Sequence, residues 1–283
     1  MDGAASLYGL TSVPIYDTLG EEACEHMLKE TNLATLFTTC DHINGIVTAI
    51  NENRYGKVVN LVIMDEENFN MELKDNILSI GTLKYYLMSQ LMENGRKSLR
   101  PYAKVDPDHI YTFSYTSGTT STPKGTMLSH RNVMTMVGAV QHCIKVDGEI
   151  RHVSYLPLAH IFERIILNMV LARKGKYGIF NGNVLKLSED LIAMKPTVFV
   201  SVPRLYNKFY DGIKAKINGM TGFSRSMVDR ALAAKEHYLT TTGNPYHSFW
   251  DRLVFNKMKQ RVGGCVQIMM TASAPIDRNV LRF

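Results

Sequence analysis

The sequence predicts an α/β fold, a mostly parallel sheet flanked by helices. Three observations carry that expectation. Short segments that read as strands recur at residues 33–38, 58–64, 151–156, 177–180, 198–202 and 265–271, each too brief for a helix. They alternate with stretches at helical spacing; in 42–51, Ile43, Ile46, Val47 and Ile50 fall at i, i+3, i+4 and i+7 and share one face. The run 58–64, apolar but for Asn60, shows no alternation, as in a strand covered on both sides. Strands and helices in this rhythm imply βαβ units and a parallel sheet.

Taken in order, residues 10–16 read as a strand and 17–20 as a turn. A helix over 21–30 carries Glu21 and Glu22 in its favoured first turn. The strand 33–38, the helix 42–51 and the strand 58–64 follow. Residues 65–76 are polar and read as a loop, and 79–93 as a helix. Residues 94–109, with Gly95, Pro101, Pro107 and several charges, read as a linker. The chain thus divides into a first βα region (1–93), the linker and a second region (110–283). In the second region a strand begins at Ile110, and helices are expected over 130–145, 160–173 and 185–194, the last stopped by Pro196. Pro203 opens another helix, a favoured place for proline. Its stripe Leu205, Phe209, Ile213 and Ile217 reads as core. Helices over 224–239 and 248–260 and the strand 265–271 complete the pattern, and the chain stops at Phe283, a few residues into a further helix.

Composition narrows the classes. With 45% apolar and 20% charged residues the chain is a folding sequence, not a disordered one. A net charge of +6 suits anions such as ATP or CoA, or an anionic membrane surface, and also serves as an ordinary solubilising surface. No nucleic-acid motif accompanies it, so nucleic acid is not an expected partner. Cys24, Cys40, Cys143 and Cys265 are far apart, and the nine histidines show no ligand spacing. No zinc site or disulfide framework is implied, and no residue is assigned to a metal. Met1-Asp2-Gly3 lacks the basic start of a signal peptide. The most apolar long stretch, 153–172, is broken by His160, Glu163 and Arg164, so no segment reads as membrane-spanning.

The chemistry concentrates after the strand that begins at Ile110. Tyr115 is followed by Thr116, Ser117, Gly118, Thr119, Thr120, Ser121 and Thr122, then Pro123, Lys124 and Gly125. Hydroxyls and glycine amides at this density make a concave donor surface suited to polyphosphate oxygens. Lys124 adds a positive charge behind the φ-fixed Pro123. A solvated Ser/Thr loop would have the same composition. The order of parts argues for the phosphate reading: strand, hydroxyl loop, Pro-Lys-Gly, short strand, then a helix capped by Ser129. The loop is not the nucleoside-triphosphatase P-loop, because five residues separate Gly118 from Lys124 and a proline precedes the lysine.

Tyr115 to Gly125 resembles the signature loop of the adenylate-forming enzymes, with Ser121 standing where that family usually has glycine. The resemblance extends further. Ser154-Tyr155-Leu156-Pro157-Leu158-Ala159-His160-Ile161-Phe162-Glu163-Arg164 is similar to the next landmark in its long-chain fatty acyl-CoA synthetase form. Val13-Pro14-Ile15-Tyr16-Asp17-Thr18-Leu19-Gly20 and Ser201-Val202-Pro203-Arg204-Leu205-Tyr206 resemble runs of the same subfamily. Thr271-Ala272-Ser273-Ala274-Pro275-Ile276 is similar to the small-residue loop that lies against adenine, although a plain strand-to-helix turn would read the same way. The resemblance covers nearly the whole chain. It implies part of the large N-terminal, AMP-binding domain, in which Thr116 to Thr122 and Lys124 hold the ATP phosphates. Ser273, Ala274 and Pro275 would lie against the base. His160 is the implied catalytic residue, beside the substrate carboxylate and the α-phosphate.

The implied activity is that of a long-chain fatty acid–CoA ligase using ATP, Mg²⁺ and CoA on the cytoplasmic side of a membrane such as the endoplasmic reticulum, with peripheral membrane association and a fatty acid as partner. The family's Tyr-Gly-x-Thr-Glu motif, its ribose-binding aspartate and its C-terminal domain with the catalytic lysine are not found within 1–283, where both ends read as cuts. The chain is therefore expected to be an incomplete, inactive fragment. Two alternatives stay open: a synthetase for another carboxylic acid, or a non-catalytic nucleotide- or acyl-binding remnant.

Overall fold

The structure is a computed structural model that describes residues 2–16, 19–116, 122–272 and 274–283. Two compact units divide the chain, Met1–Asn132 and Val133–Phe283. In the first, the elements are α1 (Asp2–Leu7), α2 (Glu21–Thr31), β1 (Thr35–Thr38), α3 (Ile43–Asn51), β2 (Asn60–Ile63), α4 (Met71–Leu78), β3 (Lys84–Leu87), α5 (Met88–Lys97), β4 (Ile110–Thr116) and β5 (Lys124–Ser129). The helix α6 (His130–Cys143) begins at its end. β1, β2 and β3 form a parallel sheet with β2 in the middle. The predicted stripe of α3 packs there: Ile43, Ile46 and Val47 are buried with Leu61, Ile63 and Ile77, and Ile50 lies half-buried against them.

Several elements of this unit differ from the sequence-based expectation. The expected loop 65–76 instead leads into a helix, α4, which Asn70 caps by accepting the Leu73 N–H at 3.0 Å and which packs Leu73 and Ile77 into the core. The expected helix over 79–93 is interrupted by β3, whose Lys84-Tyr85-Tyr86-Leu87 pairs with β2 along its length. Aromatic, half-buried residues suit a pleated surface, and here tertiary pairing overrides helical spacing. The expected strand 10–16 reduces to a single parallel bridge, Ser12 to Thr112. Pro14 has no N–H to give a ladder, which keeps the segment irregular.

In the second unit come β6 (Arg151–Ser154), α7 (Ile161–Ala172), β7 (Lys176–Ile179), α8 (Leu187–Met194), β8 (Val198–Ser201), α9 (Pro203–Asn218) and α10 (Gly222–Thr242). The short helices α11 (Ser248–Trp250) and α12 (Asn256–Lys259) follow, joined by a π turn over Asp251–Phe255, and then β9 (Ile268–Thr271) and α13 (Arg278–Arg282). β6 pairs with β7, and β8 with β9, both in parallel. Thr197 ties the two pairs at their starts: its N–H donates to Arg151 O at 2.9 Å, and its Oγ1 accepts the Arg151 N–H at 2.9 Å. At the other end Tyr155 Oη lies 2.6 Å from Ser201 Oγ. The two parallel pairs are separate two-stranded sheets that lie side by side, with β6 next to β8. β8 is buried along its whole length, as a parallel strand with both faces covered should be.

α9 joins two cores. Leu205 and Phe209 pack with Phe199 and Leu191, whereas Ile213 and Ile217 pack with Val228, Ala231 and Phe255. At the π turn, the buried Asp251 accepts Lys235 Nζ at 2.7 Å and the His247 N–H at 2.7 Å, with Lys259 Nζ at 3.0 Å. Burial alone would raise this carboxyl, but those donors outweigh it and hold the group below the usual range. Its stabilising contribution is therefore complete above the unfolded carboxyl value of about 3.9 and is lost as pH falls below that. Asp251→Asn should cost about 1–3 kcal/mol at neutral pH, and the gap to wild type should close on acidification. Melting curves from pH 7 down to pH 3 measure both.

Candidate functional site

The hydroxyl loop is held by an antiparallel hairpin. β4 and β5 pair from Ile110–Ser129 to Thr116–Lys124, so Thr116 and Lys124 face each other where the ladder ends. Both are exposed, as is Thr122 between them. Residues 117–121, which carry Ser117, Gly118, Thr119, Thr120 and Ser121, lie outside the described residues, as does Ser273. The base of the loop is specified by packing. Tyr115 is buried and donates its hydroxyl to Glu30 Oε2 at 2.5 Å; burial, then the Glu30 carboxylate, raises its phenol and keeps it a donor. Its register partner is Gly125, where a Cβ would stand 2.8 Å from the ring. The Tyr and the final Gly of the motif are thus a packed pair. On the other side of β4, Ser12 accepts from Phe113 N at 3.0 Å and from Thr112 Oγ1 at 2.9 Å.

Downstream, Ser129 caps α6 as expected. Its Oγ accepts the Asn132 N–H at 3.2 Å, and Asn132 Oδ1 accepts the Ser129 N–H at 3.0 Å, a reciprocal capping box.

The second unit carries the other motif residues. His160 follows β6 and caps α7; its Nδ1 accepts the Phe162 N–H at 3.2 Å. A nitrogen that accepts carries no proton, so the ring proton sits on Nε2, and the side chain is exposed. Ala274 and Pro275 follow β9 and precede α13, which Asp277 caps by accepting the Asn279 N–H at 2.7 Å. His160, Ala274 and Pro275 therefore stand beyond the carboxyl ends of parallel strands, where open α/β sheets bind ligands. Thr116, Thr122 and Lys124 belong to the first unit.

One group near His160 was not singled out from the sequence. Glu163 is fully buried, accepting the Tyr177 hydroxyl at 2.7 Å with His152 Nε2 at 3.1 Å. Burial, then the Glu163 carboxylate, raises the Tyr177 phenol, so it remains a donor. Glu163 and Arg164 close the sequence landmark, but the partners on β6 and β7 are visible only in the fold. Among the described residues no three His, Cys, Asp or Glu side chains are grouped so as to hold a metal ion. The four cysteines are free; burial and then Asp65 push the Cys40 thiol up to about 11, which makes it inert.

The fold is that of an adenylation domain. That of a carboxylate reductase from Mycobacterium chelonae aligns with a TM-score of 0.75 at 18% identity, over 98% of this chain and 41% of that one. The corresponding domain from Segniliparus rugosus, solved with AMP and a co-purified carboxylic acid, aligns with a TM-score of 0.67 at 21% identity, over 99% of this chain and 43% of that one. The AMP-binding enzyme family model matches residues 1–283, and the chain belongs to that family. It is 34% identical over 283 residues to a peroxisomal long chain acyl-CoA synthetase 6 of Arabidopsis thaliana, covering all of this chain and 40% of that protein. It is 32% identical over 281 residues to the long-chain-fatty-acid–CoA ligase 1 of Homo sapiens, covering 98% of this chain and again 40% of the relative. The chain thus spans about two fifths of the length of these curated relatives.

Proposed function

We propose that this chain supplies the ATP-phosphate loop and the carboxylate-facing histidine of a long-chain fatty acid–CoA ligase. The reaction joins fatty acid and ATP to acyl-adenylate and pyrophosphate; the CoA thiol then displaces AMP to give acyl-CoA. A carboxylate is a poor electrophile because its leaving group would be oxide, and adenylation replaces that with a phosphate ester. The difficulty is charge, since an anionic acid must meet a polyanionic nucleotide. Thr116, Thr122 and Lys124, with the hydroxyls of 117–121, would neutralise the phosphates, and the Nε2–H of His160 would orient the acid's carboxylate. Magnesium, when bound, would add Lewis-acid neutralisation of the same phosphates, and no step depends on it here. Ser273, Ala274 and Pro275 would lie against adenine.

The observation that carries this reading is the hairpin, which sets Thr116 opposite Lys124 at the mouth of the hydroxyl loop. Its test is nucleotide binding by the 283-residue chain. Saturable ATP binding that depends on Lys124 supports it, and no binding at millimolar ATP overturns it. We do not expect the chain alone to catalyse palmitate-dependent ATP–pyrophosphate exchange. Thermal protection by palmitate but not by benzoate favours the long-chain acid over the alternative carboxylic acids, and ATP binding with neither acid protecting favours a remnant. The endoplasmic reticulum and the cytoplasmic membrane face belong to the same proposal.

Charge supports peripheral membrane contact. No helix among the described residues is long and apolar enough to cross a membrane. Yet eleven Lys and Arg stand against four Asp and Glu between Arg204 and Arg261, enough to account for the whole chain's +6. In the same stretch Phe223, Tyr246, Phe249 and Leu253 are exposed. Basic residues beside exposed aromatics bind anionic lipid surfaces, at about 1 kcal/mol per cation. The chain should co-sediment with vesicles containing phosphatidylserine and be released by salt. Equal sedimentation with neutral vesicles would contradict this.

A further inference from the structure

Glu163 is a charged residue with no solvent exposure, in the first turn of α7, three residues after His160. A glutamate at this place ordinarily turns back to the amide of the capping residue. Here the His160 amide donates instead to Pro157 O at 3.0 Å, and the Glu163 carboxylate points into the sheet. It reaches two strands, taking the Tyr177 hydroxyl from β7 at 2.7 Å and lying 3.1 Å from His152 Nε2 on β6. Tyr177 Oη is also 2.6 Å from Ser154 Oγ on β6; a phenol has one hydrogen, so the serine closes that contact as donor. The next residue, Arg164, is also buried, and its Nε donates to Leu158 O at 2.8 Å.

Such a cluster is a poor device for stability. A buried charge costs more to desolvate than its partners usually return, and apolar residues of similar volume often do better. Among the described residues Glu163 Oε2 and His152 Nδ1 have no hydrogen-bond partner, so even this network is incompletely satisfied. What it does accomplish is geometric, because it ties the turn that carries His160 to two strands at once.

We propose that Glu163 is a positioning residue for His160: its carboxylate, held by Tyr177 and His152, fastens the first turn of α7 to β6 and β7, so that the imidazole keeps Nδ1 on the Phe162 amide and presents Nε2–H outward. This rests on the reading of His160 as the group that meets the acid's carboxylate, and it identifies what aims that group.

The test uses the 283-residue chain labelled with ¹⁵N-histidine and no ligand, so its outcome is separate from that of the nucleotide-binding test. In wild type, His160 should show one bare and one protonated ring nitrogen, the signature of a fixed Nε2–H tautomer. Glu163→Ala should collapse these towards averaged values while circular dichroism stays unchanged, and Glu163→Gln, which keeps an acceptor for Tyr177, should restore the split signature. If Glu163→Ala does not fold, Tyr177→Phe removes one arm of the clamp and should show the same loss in part. A folded Glu163→Ala or Tyr177→Phe protein with the wild-type His160 signature overturns the proposal, as does a wild type whose His160 is already averaged.

Discussion

Replacing Lys124 with alanine should weaken ATP binding by roughly ten- to a hundredfold, the cost of about 1.5–3 kcal/mol for one charge-assisted contact. The side chain is exposed at the first residue of β5, and its backbone pairs with Thr116 whatever the side chain is. The variant should therefore fold and melt like wild type. Isothermal titration with ATP and then with palmitate separates the roles, because the acid should bind almost as before. Lys124→Arg should recover part of the affinity, since the charge returns with a different shape. The deficit should shrink at high salt, where exposed charges are screened. An unchanged ATP affinity in Lys124→Ala would remove the lysine from the phosphate site.

The second large effect concerns stability. Gly263→Ala should lower the melting temperature by about 5–15 °C, from about 2–5 kcal/mol of destabilisation. Gly263 has φ +87°, a conformation that other residues resist, and an added Cβ would stand 2.4 Å from Leu191 O and 2.8 Å from Lys195 Cα. Both are backbone atoms at the end of α8 and cannot swing aside. Gly243 is the control. It ends α10 at φ +70° with nothing within 4 Å of the added Cβ, so Gly243→Ala carries only conformational strain, about 1 kcal/mol. Equal losses from the two variants would mean the close approach at Gly263 contributes nothing.

What the sequence revealed was what local chemistry determines. On either side of residues 117–121, the strand from Ile110, the strand after Pro123 and the Ser129 cap appear as read, because each has its own local cause: β-branched and aromatic residues, a proline-fixed φ, a capping hydroxyl. The face of α3 and the buried strand β8 were legible for the same reason. β3 was missed because Lys84 to Leu87 is made a strand by β2, which lies twenty residues earlier. α4 was missed because only Leu73 and Ile77, one turn apart in a polar stretch, mark its buried face, and the Asn70 cap was not read. Among the candidate residues, His160 was singled out by its motif, and the structure shows it capping α7. Glu163 could not be separated from a solvated helix residue, because the partners that define it sit on two strands eleven and fourteen residues away. Tyr115 and Gly125 were read as signature letters, and only the register shows that one ring fills the space the other leaves.

The two sides of β4 differ in how they must assemble. Its ladder with β5 closes over a connection of seven residues, from Thr116 to Lys124, whereas its contacts with Thr11 and Ser12 join residues 99 and 100 positions apart. Loop closure costs entropy that grows with separation, and local pairings form first. The hairpin that presents Lys124 should therefore be an early, self-contained folding unit, with the N-terminal segment docking on it late. In pulse-labelled hydrogen exchange the Phe113 amide, which bonds to Ser12 O, should gain protection after the amides that bond only to β5. The two strands that flank residues 117–121 would then be paired before the rest of their unit has closed around them.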